Sequence, residues 1–268
     1  MDKKVDLLII DPQNDFCDPK GSLFVPGADQ DIARLSKMLK RVSPRLNNIH
    51  VTLDTHHYFD IAHPIFWVDA NGKHPGDYDF TVITLEDVKK GKWRATVPWM
   101  QDRATKYVET LAKSGRYLLC VWPPHCLIGS WGTQVVPELW NNLTAWEKDS
   151  IAFVDYVTKG SNFWTEHYSA VQADVPDPSD PSTQLNTALI NMLKEVDVIG
   201  ISGEALSHCV ANTVRDIANN FGEDNIKKFV LITDTCSNVG SFEKLGEDFV
   251  KEMVARGMKT TTSDQFLA

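Results

Sequence analysis

The sequence predicts an α/β protein, a three-layer αβα sandwich around a mostly parallel sheet of about six strands. Two observations favour this fold class. Short, continuously apolar runs alternate along the chain with longer segments in which apolar residues recur at helical spacing. The apolar runs also lack the alternation of a half-exposed strand, which is typical of parallel strands that helices cover on both faces.

The predicted elements follow one another in this alternating order. The first strand covers residues 5–11, a helix follows at 28–46, and the second strand covers 49–54. The later strands are predicted at residues 117–122, 151–157, 197–202 and 229–234, with a short edge strand at 259–262. The later helices are predicted at residues 101–113, 137–148 and 183–195, from Ser207 as N-cap onwards, and at 243–256.

Residues 71–98 interrupt this alternation. The segment is too aromatic and apolar for a disordered linker, so we interpret it as an elaboration that folds over one end of the sheet. A lid, an interface and a simple buttress all remain open for it. The chain shows no internal repeat and no domain boundary, which predicts a single domain over residues 1–268.

The amino-acid composition limits the kinds of binding partner and the cellular compartment that we expect for this protein. The chain has 268 residues, 43% of them hydrophobic and 24% charged, which suits a globular protein with a substantial core. Its net charge of −9 argues against nucleic acid or an anionic membrane as partner. The N-terminal apolar run is short and ends in aspartate, which indicates a strand rather than a signal peptide. Five cysteines without CxxC spacing favour the cytoplasm.

Polar residues collect at the ends of the predicted strands. Ligands of open α/β sheets bind at the carboxyl ends of the strands, which meet at one edge. In this chain those ends carry Asp11, Asp54 with His56, residues 122–125, Lys159 and residues 204–209. Their convergence predicts an active site at this edge of the sheet.

Cys209 is the candidate nucleophile. It falls in the first turn of a predicted helix, where the helix dipole and unpaired N–H groups favour an anion, so we expect its thiol to ionise easily. Lys159 would hold the thiolate and Asp11 would move protons. The backbone N–H groups of Ala205 and Cys209 are placed to hold a developing oxyanion. His208 is the alternative base, about 100° round the helix axis from Cys209.

Asp54 and His56 are the core of a candidate metal site. They lie two residues apart at a strand exit, so their side chains point the same way. With His125, which follows two prolines, they would leave coordination positions open, as in catalytic sites for zinc or ferrous iron. His63 is a further candidate ligand. We expect one divalent ion, Zn²⁺ first and Fe²⁺ or Mn²⁺ as alternatives.

Five strings of the sequence also form an ordered set of motifs. They are DPQNDFC (residues 11–17), LDTHH with HP after it (53–64), WPPHCLIGS (122–130), KGSN (159–162) and GEALSHCVANT (203–213). In this order they resemble the motifs of the isochorismatase-like cysteine hydrolases, and among these the nicotinamidases. The resemblance spans residues 5–235 and departs between residues 63 and 117, where small nicotinamidases are shorter.

The resemblance implies a Rossmann-like parallel fold with six strands and assigns roles to individual residues. It implies a catalytic triad of Cys209, Lys159 and Asp11, and metal ligands at Asp54, His56 and His125. It also implies a cis peptide bond between Glu204 and Ala205, and substrate-stacking rings at Phe16 and Trp122. His63 lies about one position away from the further ligand of the family pattern.

The resemblance implies a metal-dependent cysteine amidohydrolase that converts nicotinamide to nicotinic acid and ammonia through a thioester. The alternative is a related hydrolase acting on another small amide or on an isochorismate-like substrate. The resemblance implies that isochorismatases generally lack the metal set, which favours the amide. A non-catalytic binding protein of the same fold is a second class of hypothesis, which the filled triad positions disfavour. A small amide is thus the expected partner, and a homo-oligomer is left open.

Overall fold

The computed structural model of the protein describes residues 3–76 and 79–268. The strands, numbered in chain order, are β1 (Val5–Ile10), β2 (Asn48–Asp54), β3 (Trp67–Val68), β4 (Thr81–Ile83), β5 (Arg94–Ala95), β6 (Leu119–Val121), β7 (Asp155–Lys159), β8 (Val198–Gly203), β9 (Phe229–Ile232) and β10 (Lys259–Thr261). The α-helices are α1 (Asn14–Cys17), α2 (Ala28–Val42), α3 (Leu85–Lys89), α4 (Gln101–Ser114), α5 (Pro137–Ser150), α6 (Thr187–Lys194), α7 (Ala211–Phe221), α8 (Glu223–Ile226) and α9 (Glu243–Ala255).

A sheet of six parallel strands forms the middle layer. Within the described residues its order is β10, β9, β8, β1, β2 and β7. The chain moves from β1 outward to β7 on one side, then returns to β8 and continues outward to β10 on the other. The strand order therefore reverses between β1 and β8, which is where ligands bind in open α/β sheets.

Alternate residues of β1 face opposite helical layers. Leu7 and Ile9 belong to the same buried cluster as residues of α2 and α5. Leu8 and Ile10 are buried with residues of α6, α7 and α9. Every residue of β1 is buried, which explains why its sequence is an apolar run without alternation. The predicted three-layer fold class is confirmed.

One predicted strand does not belong to the central sheet. Within residues 117–122, β6 pairs antiparallel with β4, and β10 supplies the sixth strand of the central sheet instead. The prediction that residues 117–122 form the third strand of that sheet is therefore wrong. A short apolar run is compatible with either partner, because the run itself does not encode the strand that pairs with it.

Three other boundaries differ from the prediction. α5 continues to Ser150 and Ile151 adopts a left-handed φ of 51°, so β7 covers Asp155–Lys159 rather than residues 151–157. The helix predicted at residues 183–195 is α6, which is shorter because Asn186 caps it by accepting from the Leu189 N–H. Ser207 is not an N-cap, since it lies inside a π-helical turn, Leu206–Val210.

Residues 71–98 form a small unit beside the sheet, although Asp77 and Tyr78 lie outside the described residues. β5 pairs with β3, and β4 with β6, both antiparallel. Buried side chains of this unit pack with α4 and β6 in a third hydrophobic cluster. Within the described ranges, no helix is long and apolar enough to cross a membrane.

Candidate active site

Four strands of the central sheet deliver one buried polar cluster to a single edge. Asp11 directly follows β1, and Asp54 and Lys159 are register partners at the ends of β2 and β7. Cys209 lies in the π-helical turn that joins β8 to α7. All four side chains are buried. The structure thus brings together the nucleophile, lysine and carboxylate that the sequence predicted to form one set.

Lys159 lies at the centre of this cluster. Its Nζ is 3.0 Å from Asp11 Oδ2, 3.0 Å from Asp54 Oδ1 and 3.7 Å from Cys209 Sγ. Burial alone would lower the pKa of the lysine, but the two carboxylates outweigh it and raise that pKa well above its usual value. Lys159 is therefore an ammonium whose single positive charge is in contact with two carboxylates.

The pKa of the Cys209 thiol is higher than expected from the prediction that this thiol ionises easily. Burial raises its pKa well above the usual value, Asp11 and Asp54 raise it further, and Lys159 acts in the opposite direction. The prediction weighed the helix start and the lysine, but not the two carboxylates that accompany the lysine. A thiol with such a raised pKa is protonated at rest, so a nucleophilic role for Cys209 requires a base.

Asp11 is placed to be that base. It has the unusual left-handed φ of 45°, and its Oδ1 accepts a hydrogen bond of 2.5 Å from Thr52 Oγ1. Burial raises the pKa of Asp11, and Asp54 adds to the rise, whereas Lys159 and Thr52 oppose it. A carboxylate with a raised pKa accepts a proton from a thiol more readily than an ordinary aspartate.

Three buried histidines form a candidate metal site next to these residues. A nitrogen of each of His56, His63 and His125 lies within 4.8 Å of the other two. Asp54 Oδ2 is 3.1 Å from His56 Nε2 and 3.4 Å from His125 Nε2. Within residues 3–76 and 79–268, the buried His63 Nε2 has no hydrogen-bond partner. One carboxylate, three imidazoles and an unpaired buried nitrogen fit a divalent cation such as zinc.

The second nitrogen of each ring is held by a separate contact. His56 Nδ1 lies 3.1 Å from Asp60 Oδ2, His125 Nδ1 lies 2.8 Å from the Pro123 carbonyl oxygen, and His63 Nδ1 lies 3.1 Å from the His57 carbonyl oxygen. Such contacts fix the ring orientation and leave Nε2 free for a metal. His63, displaced from the family pattern in sequence, thus reaches the cluster in space.

A cavity lies beside the cluster, and Cys209 is one of its lining residues. Phe16 and Trp122, the predicted stacking rings, both contribute to its wall. The Trp122 indole N–H donates to the Tyr168 hydroxyl at 2.8 Å, which fixes the plane of the ring. The other lining residues are Leu23, Val25, Asp54, His125, Glu166, Tyr168, Ala205, His208 and Val239. The wall is aromatic and apolar with a few polar groups at one end, as is typical of small-ligand sites.

Sequence reasoning missed several residues of this site. Glu166 lines the cavity and lies 3.8 Å from His56 Nε2, while Asp60 orients the same ring. Both lie in irregular segments, where no strand or helix register marks them in the sequence. His208, the alternative base predicted from the sequence, forms part of the wall, and burial lowers its pKa to about 4. It is therefore a neutral ring at pH 7.

The turn before α7 forms part of the cavity wall, which Ala205, His208 and Cys209 line. The peptide bond between Glu204 and Ala205 is cis, as the resemblance implied. The Ala205 carbonyl accepts from the N–H groups of His208 at 3.0 Å and Val210 at 3.1 Å, which closes the turn. Among the described residues the Ala205 N–H itself has no acceptor. A ligand oxygen in the cavity can take that position.

Two curated proteins are similar to this chain in sequence. No family model matches the chain. It is 27% identical over 207 residues to the nicotinamidase of Saccharomyces cerevisiae, which covers 77% of this chain and 78% of that protein. It is 24% identical over 216 residues to the nicotinamidase/pyrazinamidase of Mycobacterium tuberculosis, with 80% and 78% covered.

Solved structures extend the likeness over almost the whole fold. The yeast nicotinamidase superposes with a TM-score of 0.65 at 20% identity, covering 96% of this chain and 99% of that one. The chain therefore has the fold of these enzymes. A pyrazinamidase of Pyrococcus horikoshii, solved in complex with zinc, superposes on this chain with a TM-score of 0.57 at 19% identity, covering 97% of this chain and 99% of that one.

Proposed function

We propose that this protein is an isochorismatase-like hydrolase that converts nicotinamide to nicotinic acid and ammonia, with Cys209 as nucleophile. The observation that carries the proposal is the contact of Lys159 with Asp11, Asp54 and Cys209, two of which, Asp54 and Cys209, line an aromatic cavity. The two curated relatives, whose names describe a nicotinamidase and a nicotinamidase/pyrazinamidase, support a nicotinamide-like amide as substrate.

The substrate ring would lie between Phe16 and Trp122, with its carboxamide over Cys209. Asp11 takes the thiol proton as sulfur attacks the carbonyl carbon, and the carbonyl electron pair moves onto oxygen. The Ala205 and Cys209 N–H groups stabilise this oxyanion, a contribution of about 10²–10³ in rate for one such donor. Lys159 holds Asp11 in place and limits the charge that collects around the sulfur.

Collapse of the tetrahedral intermediate releases ammonia. The carbon–nitrogen bond breaks as the nitrogen takes the proton from Asp11, which leaves an acyl thioester on Cys209. Water then gives a proton to Asp11 and attacks the thioester carbon. The carbon–sulfur bond breaks, the sulfur recovers a proton, and nicotinic acid leaves. Amide and water thus give acid and ammonia, with the protein returned to its starting state.

Asp54, His56 and His125 would hold a divalent ion, with His63 as a further ligand. Zn²⁺ is the ion we propose, with Fe²⁺ or Mn²⁺ as alternatives, since imidazole and carboxylate suit all three. The bound ion supplies a Lewis-acidic position for which a pyridine nitrogen is a good ligand. Asp54 would link the two functions, because one of its oxygens faces the histidines and the other faces Lys159.

Ammonia release measures the proposed reaction directly. The purified protein is incubated with nicotinamide, and in parallel with pyrazinamide, benzamide and aliphatic amides, before and after chelation and after return of zinc. We expect nicotinamide and pyrazinamide to be the best substrates, with activity lost in chelator and restored by zinc. Turnover of aliphatic amides alone would instead favour the alternative substrate class.

A further inference from the structure

Glu204 is a buried acid directly before the oxyanion turn. Its side chain is fully enclosed, at 0% exposure. Its backbone N–H donates to the Ile10 carbonyl at 2.8 Å, and its own carbonyl begins the cis peptide bond to Ala205. The proposed reaction gives no chemical step to this carboxyl, although burying it is costly unless its oxygens are satisfied.

One oxygen of Glu204 links the segment that contains Ser237 and Val239 to the turn. Glu204 Oε2 accepts from the Ser237 N–H at 3.0 Å, and the Ser237 carbonyl accepts from the Leu206 N–H at 2.7 Å. Two residues on, the Val239 N–H donates to Ser207 Oγ at 3.1 Å. Since Val239 lines the cavity, these bonds hold a cavity wall and the oxyanion turn in one unit.

Ser237 joins Glu204 to a second carboxyl. Its N–H donates to Glu204 Oε2 and its Oγ donates to Asp31 at 2.5 Å, and Asp31 also accepts from Arg34 at 2.6 Å. Glu204 Oε1 is buried and, among the described residues, receives no hydrogen bond from a donor. Two adjacent carboxyls are accommodated when one proton lies between them.

The groups around Glu204 decide which carboxyl keeps the proton. Asp31 and Arg34 face it from α2, Cys17 from α1, and Cys236 from the segment after β9. Arg34 pairs directly with the Asp31 carboxyl. Burial first, and then Asp31, raise the pKa of Glu204 well above its usual value. Burial likewise raises the pKa of both thiols, so neither supplies a charge.

We propose that Glu204 is a positioning residue for the oxyanion hole. Its neutral carboxyl donates from Oε1 to Asp31 and accepts at Oε2 from the Ser237 N–H, which sets the Ala205 N–H and Val239 against the bound amide. The inference rests on the proposed amide hydrolysis. It makes the geometry of the oxyanion hole depend on a proton that lies away from the reacting atoms.

Glu204→Gln and Glu204→Leu separate positioning from mere packing. The glutamine keeps both contacts without a titrating proton, so we expect kcat within about threefold of wild type but without the loss at alkaline pH that ionised Glu204 causes. The leucine removes both contacts, so we expect kcat to fall about tenfold or more with KM within about threefold. Glu247→Leu, which alters an exposed glutamate of α9, is the matched control.

Inhibition by pyridine-3-carbaldehyde reports on the oxyanion hole itself, because its thiol adduct places an oxygen there. We expect Glu204→Leu to weaken this inhibition about tenfold and to leave inhibition by nicotinic acid within about twofold. If Glu204→Leu does not fold, the comparison of the pH profiles of Glu204→Gln and wild type tests the inference instead. Identical pH profiles in glutamine variant and wild type, or an unchanged kcat and aldehyde affinity in the leucine variant, overturn the inference. A wild type inert towards every amide removes the proposed function and this inference with it.

Discussion

Replacement of Lys159 by methionine removes the cation on which the cluster depends while keeping a side chain of similar length. Its Nζ lies 3.0 Å from one oxygen of Asp11 and 3.0 Å from one oxygen of Asp54. Without it, two buried carboxylates face each other with no ammonium between them. We therefore expect both stability and activity to fall.

The size of the stability loss follows from the burial of all three groups. At 3.0 Å each contact is worth about 5 kcal/mol of Coulomb energy at an effective dielectric constant near 20, much of which desolvation of the ammonium offsets. Removing one partner of a buried pair typically costs about 3–5 kcal/mol, and we expect Lys159→Met to lie in that range. Native proteins are stable by only about 5–15 kcal/mol, so the change is easily measured.

Urea unfolding of the chelator-treated protein is the assay, because a bound cation would compensate Asp54. The matched control is Lys159→Met combined with Asp11→Asn, which removes one of the two charges left behind. We expect the double variant to recover about 2 kcal/mol of stability and none of the activity. A single variant within about 1 kcal/mol of wild type would show that Lys159 does not neutralise this cluster.

Three further predictions test individual residues. Cys209→Ala should abolish ammonia release and leave the zinc content intact; residual turnover would exclude it as nucleophile. His63→Ala should weaken zinc binding at least tenfold in a chelator competition, whereas the exposed His74→Ala should not; equal affinities would exclude His63 as a ligand. Burial lowers the pKa of His50, but Asp6 and Asp155 outweigh it and raise that pKa, so its stabilising charge is present below about pH 6.5 and lost as pH rises through the folded-state pKa. His50→Asn should therefore cost about 1–3 kcal/mol of unfolding free energy at pH 6 and less at pH 9, and an equal cost at both would contradict the charge on His50.

Much of the fold could be read from local patterns. The continuous apolar run of β1 is buried on both faces, and the second predicted strand ends at Asp54 as expected. Partner choice could not be read in this way. β6 has the composition of a central strand, yet it pairs with β4, a strand of the elaboration at residues 71–98. The single-domain organisation and a homo-oligomer stay predictions.

The candidate site shows the same division. Strand ends and motif strings were enough to name Cys209, Lys159 and Asp11 before any contact was known. Their protonation states could not be predicted from the sequence. The pKa of a buried group depends on every neighbouring charge, and these charges include the Asp54 carboxylate, which the sequence assigned to the metal alone.

The sequence by itself determined the order of the strands along the chain and the chemical identity of the residues at their carboxyl ends. These properties are local, since they depend on apolar periodicity and on residue type. Tertiary structure alone decided that His63 reaches the other two histidines and that Glu204 meets Asp31 across 173 positions of chain. Such contacts depend on distances in space. Loops of irregular backbone determine these distances, and the spacing of residues in the sequence does not predict them.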